Sequence, residues 1–253
     1  MVHENKPGRI DRLVELLDQT QGNGNLTKPQ GQVIHVLKRY ACGVFGVKFL
    51  HQICAEVSTL SGPLFTRAPS DVRSFCEYAA RILPAAKPRK LNCGFEMKPL
   101  LLFSDGCWES GFAGIRAVMV DTAGRASFVC VGTAPKRLLE LWKVQIGWYI
   151  ICQSELYAMV LSRWQCQGIL WDRRSICWAN NDAVRYCTIR GLSPSKAMHS
   201  LVREFYLIDA SAPTYNWGER VPSSSDISDG PPRRALSLLG LNSKTPLNLL
   251  ASC

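Results

Sequence analysis

Between residues 8 and 60 the apolar positions recur three and four apart. In IDRLVELLDQ they fall at Ile10, Leu13, Val14, Leu16 and Leu17, and LTKPQGQVIHVLKRYACGVFGVKFLHQICAEV keeps the same spacing. One face of a helix repeats in this way, so the stretch predicts helices. The Gly/Asn-rich TQGNGNLT breaks them, with Thr27 before Lys28-Pro29 as an N-cap. SDVRSFCEYAARIL predicts another, opening at Ser70 with Val72, Phe75, Cys76, Ala79 and Ile82 or Leu83 on one side. The Pro/Lys-rich LPAAKPRK then reads as a linker, which puts a domain boundary near residue 90.

Beyond that linker the period shortens to that of strands. KPLLLFSDGCWES, FAGIRAVMVDTAG and RASFVCVGTAP are β-rich and separated by Gly-containing turns, an antiparallel meander. From Ser154 onward, Leu156, Ala158, Met159, Leu161 and Trp164 return to helical spacing. RRSICWA is a fourth strand. Helices follow in NDAVRYCTIRG and in SPSKAMHSLVREFYLIDASA, the latter capped by Ser193 or Ser195, before a last strand in TYNWGERV. This order is mixed α/β.

Composition narrows the picture. The chain has 253 residues, 47% of them hydrophobic and 20% charged, too apolar to be disordered as a whole. Its net charge of +10 favours a polyanionic partner. The 11 cysteines form no CxxC pair and lie in apolar runs such as SFVCVG and YIICQ, so they read as small core residues rather than zinc ligands. The polar start MVHENKPGRIDRL lacks a signal-peptide core, and no apolar run reaches membrane length; a soluble, intracellular protein in a reducing compartment is expected.

Acidic positions fall where this order of elements brings chain ends together. Asp105 lies within the first strand, where a lone acid is costly unless paired or bound to a cation. Glu155 opens the helix after the meander, pointing back toward the sheet. Asn180 and Asp182 follow the fourth strand and Asp229 follows the fifth. Converging, they would suit a hard divalent cation. Each has a plainer reading: Asp105-Gly106 is a common turn dipeptide, Glu155 suits a helix start, and Asp226 and Asp229 suit solvated caps in a Ser-rich loop.

The run from SDG through QSELYA, NNDAVRYCTIRG and ERVPSSSDISDGPPRR resembles the ribonuclease H domain of retroelement reverse transcriptases, most closely the DIRS-like, tyrosine-recombinase type. It covers residues 97–234. The resemblance implies a mixed five-stranded sheet flanked by helices over residues 91–234, a thumb- or connection-like helical region over 1–90, and leaves a tail at 235–253 without interpretable pattern. It implies an endonuclease that cleaves the RNA strand of an RNA/DNA hybrid with two Mg²⁺ or Mn²⁺ ions, Asp105 bridging both, Glu155 holding one and Asp229 the other. Hybrid shape, 2′-hydroxyls and phosphates would be recognised, the phosphates by Arg185, Arg190, Lys196, Arg203, Arg220, Arg233 and Arg234.

Departures from the pattern accompany the matches. The family's aspartate at the end of the fourth strand is Asn180 here, which brings an oxygen but no charge. Asp182, two residues on, would share its face if the strand ran further. No histidine lies in the loop before Asp229; Glu219 and Arg220 occupy that stretch. No Tyr-x-Asp-Asp occurs, so a polymerase domain encoded by the same element would be a partner rather than part of this chain. A non-catalytic nucleic-acid binder on the same fold, and a structural connection module, are the alternatives.

Overall fold

The structure, a computed structural model, describes residues 8–23, 77, 80, 81 and 98–229 except 110, 148, 192 and 194. The helices expected across 26–60, most of that expected across 70–83, the linker before residue 90, Arg233, Arg234 and the tail at 235–253 lie outside these residues. Glu77, Ala80 and Arg81 are helical. Helix α1 spans Arg9–Asn23, and its Leu17 is buried in the same apolar cluster as the sheet residues described next.

The sheet has five strands: β1 (Leu100–Glu109), β2 (Phe112–Val120), β3 (Ala126–Thr133), β4 (Arg174–Ala179) and β5 (Tyr215–Arg220). Their spatial order is β3-β2-β1-β4-β5. The first three form the expected antiparallel meander, whereas β1, β4 and β5 run parallel, so the sheet is mixed. Parallel neighbours need crossovers. The crossovers are α2 (Lys136–Ile146), α3 (Ile151–Gln165) and the short α4 (Gln167–Leu170) before β4, then α5 (Asp182–Arg190) and α6 (Lys196–Ser211) before β5.

Alternation along β1 decides what each face does. Leu100, Leu102 and Ser104 are buried on the side where α3 packs, and α6 packs on α3 in turn. Leu102 is fully buried, and truncating it to alanine would cost about 2–5 kcal/mol. Leu101 and Phe103 face the other way, with Val118, Val120 and Val129, and there Ile227 packs from the chain beyond β5. Trp178 of β4 stacks on Phe103 with ring centroids 5.9 Å apart.

Local chemistry moves some element boundaries. Helix α3 begins at Ile151, three residues before Ser154, whose hydroxyl donates back to the Ile150 carbonyl at 3.1 Å; it is a residue inside the helix, not its cap. Ser195 caps α6, accepting from the Met198 amide at 3.5 Å. Cys130, Cys166, Cys177 and Cys187 are core residues, and burial pushes the thiols of Cys130, Cys166 and Cys187 up to about 11, 12 and 12. Among the described residues no helix is long and apolar enough to cross a membrane.

A buried polar network ties the helical layer to the parallel strands. Arg163 of α3, 1% exposed, donates to Asp209 of α6 at 3.1 Å, to Thr214 at 2.7 Å and to Asn216 of β5. Asn216 in turn donates to Asp209 at 2.7 Å, and Ser175 of β4 donates to Asn216. The guanidinium also lies 4.4 Å from the Phe205 ring centroid. A charge this deep persists only because its donors are taken up on several sides.

Candidate active site

Asp105 continues the Leu101, Phe103 row, two residues on, and so faces the side of the sheet on which Ile227 packs. Strand β1 runs through Asp105-Gly106 to Glu109, so the turn-dipeptide reading fails here. Gly106 faces the opposite side. A Cβ placed on it would lie 2.4 Å from the Glu155 amide nitrogen and 2.4 Å from the Ser154 carbonyl carbon. The first turns of α3 therefore rest directly on strand backbone, a contact that needs glycine. This contact is what sets Glu155 beside Asp105.

The other groups arrive from the remaining strand ends. Strand β4 stops at Ala179, and Asn180, immediately after it, donates its side-chain amide to Asp105 Oδ1 at 3.2 Å. Asn181 caps α5 by accepting from the Ala183 amide, and its own amide nitrogen donates to Glu155 Oε1 at 3.3 Å. After β5, a 3₁₀ turn at Ser223–Ser225 delivers Asp226, which is buried, while Asp229 is exposed. Ser228 donates to Asp226 Oδ1 through both its amide, at 2.9 Å, and its hydroxyl, at 2.6 Å. Arg116 of β2 pairs directly across from Asp105 and donates to the Asp229 carbonyl oxygen at 3.3 Å.

The acids feel one another's charge. Burial pushes Asp105 up to about 6 against the opposing pull of the Asn180 amide, and the charges of Asp226 and Asp229 add to the rise while Arg116 lowers it. Burial likewise pushes Glu155 up to about 7, opposed by Asn181 and reinforced by Asp105 and Asp226. Asp226 is raised as well, chiefly by burial. Glu155 Oε2 and Asp226 Oδ2 are buried with no hydrogen-bond donor among the described residues. Such oxygens are costly unless something positive reaches them.

Asp182 is elsewhere. Because β4 ends at Ala179, Asp182 falls in the first turn of α5 rather than on the strand. There it pairs with Arg185 at 3.6 Å and Arg220 at 3.5 Å, and the expectation that it replaces the missing acid is corrected. Arg185 also pairs with Glu219 at 3.2 Å, so two of the arginines expected to meet phosphate are already engaged with carboxylates. Arg185 and Arg190 lie over the Tyr186 ring, at 4.8 and 5.5 Å, and Lys196 opens α6.

Among the described residues no three His, Cys, Asp or Glu side chains stand close enough to chelate an ion as they are placed. The amides explain part of this, since each holds one carboxylate oxygen. An amide presents nitrogen to a carboxylate and oxygen to a cation, so a half-turn of Asn180 exchanges one role for the other. Asp105, Glu155 and Asp226 offer hard oxygen donors, two of them orphaned buried atoms, which is the donor chemistry a hard divalent cation takes, but as placed they do not form a chelating group.

Sequence reasoning missed Arg116, Asn181 and the burial of Asp226. A signal existed for Arg116: a hairpin that pairs residue 109 with residue 112 sets residue 116 opposite residue 105.

No protein-family model matches this chain, and no curated protein is significantly similar to it. Among solved structures it is similar to ribonuclease H1 LC11, isolated from compost by a metagenomic approach, at 13% identity and a TM-score of 0.41, over 56% of this chain and 93% of that one. It is similar also to ribonuclease H1 of the halophilic archaeon Halobacterium salinarum NRC-1, at 14% and 0.39, over 51% and 90%. A foamy viral protease-reverse transcriptase dRH, solved in complex with double-stranded DNA, matches at 13% and 0.34 over 82% of this chain, which spans 34% of that one. The mixed five-stranded sheet flanked by helices is the ribonuclease H-like architecture, and the assignment rests on the strand order and directions themselves.

Proposed function

We propose that this chain is a ribonuclease H-like endonuclease domain of a retroelement reverse transcriptase, DIRS-like in type, which cleaves the RNA strand of RNA/DNA hybrids. The observation that carries the reading is the seating of Glu155 on the bare backbone at Gly106, which buries it beside Asp105. Two acids from distant parts of the chain are costly to bury together unless a cation is to be held. Mg²⁺ or Mn²⁺ would be held by Asp105 and Glu155, with Asp226 behind them and the Asn180 oxygen in reach; when bound, it supplies positive charge to the phosphate and acidifies a water.

The chain's own residues do the rest. Gly106 fixes the separation of the two acids, Asn180 and Asn181 orient them, and Ser228 orients Asp226. The reaction is hydrolysis: a water oxygen bonds to phosphorus as the phosphorus–O3′ bond breaks, leaving a 5′-phosphate and a 3′-hydroxyl. Arg190, Lys196 and Arg203 are basic side chains for the phosphates of the duplex, and recognition would follow minor-groove shape and 2′-hydroxyls rather than base sequence.

The test is cleavage of end-labelled RNA annealed to DNA, with Mg²⁺ and with Mn²⁺. Cleavage that disappears in Asp105→Asn and is absent on duplex DNA supports the proposal; no cleavage at any metal concentration rejects it. Asn180 favours a second reading, a hybrid binder on the same fold without turnover. That reading expects salt-sensitive binding by the wild type and cleavage gained in Asn180→Asp.

A further inference from the structure

The edge strand β5 carries a tryptophan that no core packing explains. Trp217 is 65% exposed, yet its ring is tied down: the indole N–H donates to Glu219 Oε2 at 3.2 Å. Glu219 Oε1 accepts from the Arg220 amide at 3.0 Å and from the Arg185 guanidinium at 3.2 Å. Arg185 lies over the exposed Tyr186 ring at 4.8 Å, and Arg190 lies over the same ring at 5.5 Å. A Cβ on Gly218 would come within 3.3 Å of Ile189 Cγ1, so α5 is seated against β5 at the residue next to Trp217. Side chains of two elements thus form one continuous strip around the edge of the sheet.

Glu219 pairs with Trp178 and Trp178 with Phe103, while Asp105 follows Phe103 by two, so Trp217 and Glu219 share the sheet face of Asp105. Trp217 stands two strands from β1, about 10 Å across the sheet. Three guanidiniums of the strip, Arg185, Arg190 and Arg220, accompany two carboxylates, Asp182 and Glu219, and Arg190 meets no carboxylate among the described residues. The strip is therefore positive, as is the whole chain at +10. An indole whose N–H is already taken offers a flat apolar face and no donor. An unpaired base fits such a face, with its phosphate on the neighbouring charge. The bases of a double helix have no face free, and an apolar protein anchor would bury the arginines without anions.

We propose that Trp217 is a stacking site for an unpaired nucleotide and Arg190 its phosphate partner, so that this face holds single-stranded nucleic acid beside the candidate nuclease site. The choice of nucleic acid rests on the nuclease reading above; the stacking site goes beyond it. The experiment is fluorescence anisotropy of a labelled oligo(dT) 12-mer with the full chain, at 50 mM salt with chelator present. The wild type should bind, and Trp217→Ala should weaken binding about tenfold, the loss of one stacked base. Trp217→Phe should keep most of the affinity, and fully paired hybrid should bind Trp217→Ala as it binds the wild type. Photocrosslinking of the wild type to an oligomer carrying 5-iododeoxyuridine, mapped by mass spectrometry, should mark Trp217, and it tests the site even if the alanine variant does not fold. Equal affinity in a folded Trp217→Ala, or a crosslink only elsewhere, would overturn the proposal. Hybrid cleavage without oligo(dT) binding would overturn it too and leave the nuclease reading standing; oligo(dT) binding through Trp217 without cleavage would do the reverse.

Discussion

At Gly106 one missing side chain determines the separation of two acids. A methyl group there would collide with backbone atoms of Ser154 and Glu155, which cannot swing aside as a side chain can. Gly106→Ala should therefore cost about 3 kcal/mol in urea unfolding, at the upper end of overpacking effects, and should abolish cleavage with Glu155 unaltered. The two acids also set a pH dependence. Their folded values, about 6 and about 7, lie above the ordinary 3.8 and 4.5, so the fold favours the protonated forms. Their contribution to stability is complete below about pH 4 and is lost as pH rises through 6 and 7. Groups held low, Asp121 and Glu219, act in the opposite sense but only in the acid range. The urea midpoint of metal-free protein should fall between pH 5 and 8, and Asp105→Asn combined with Glu155→Gln should flatten that slope.

Among the elements, α3 carries both the site and the structural anchor: Glu155 in its first turns and Arg163 two turns on. Arg163→Met should destabilise by about 3–5 kcal/mol, because it strands the Asp209 carboxylate in the core. Adding Asp209→Asn should recover part of that loss, and a double-mutant cycle in thermal unfolding measures the coupling. At this scale the sequence was most legible. The meander and β4 at RSICWA follow from periodicity, because each strand buries one face on helices. The start of α3 did not: helical spacing was read from Ser154 onward, whereas the helix begins at Ile151 and Ser154 bonds backward within it. Asp105 and Glu155 were singled out through ordered motifs, and both are buried. Which of Asp226 and Asp229 is buried was not legible, because that depends on Ile227 finding the apolar row of Val118, Val120 and Val129, a contact far apart in sequence.

For the whole molecule, the +10 net charge and the carboxylate pocket pull in opposite directions on a polyanion. Binding of an RNA/DNA hybrid should weaken at least tenfold between 50 and 200 mM salt, measured by fluorescence anisotropy with chelator present. Arg190→Ala should lower the salt slope. Arg185→Ala should do so less, because Arg185 is already held by Asp182 and Glu219. The sheet order explains how groups spread over residues 105–229 come near one another: β1, β4 and the chain leaving β5 end at neighbouring places, and α3 packs over β1 and β2. The most direct test of this convergence is a carbon-13 NMR titration of the side-chain carboxyls in metal-free protein. Asp105 should titrate near 6 and Glu155 near 7, and Asp105→Asn should lower the Glu155 midpoint. Midpoints near 4 for both acids, with Glu155 indifferent to removal of Asp105, would contradict the convergence.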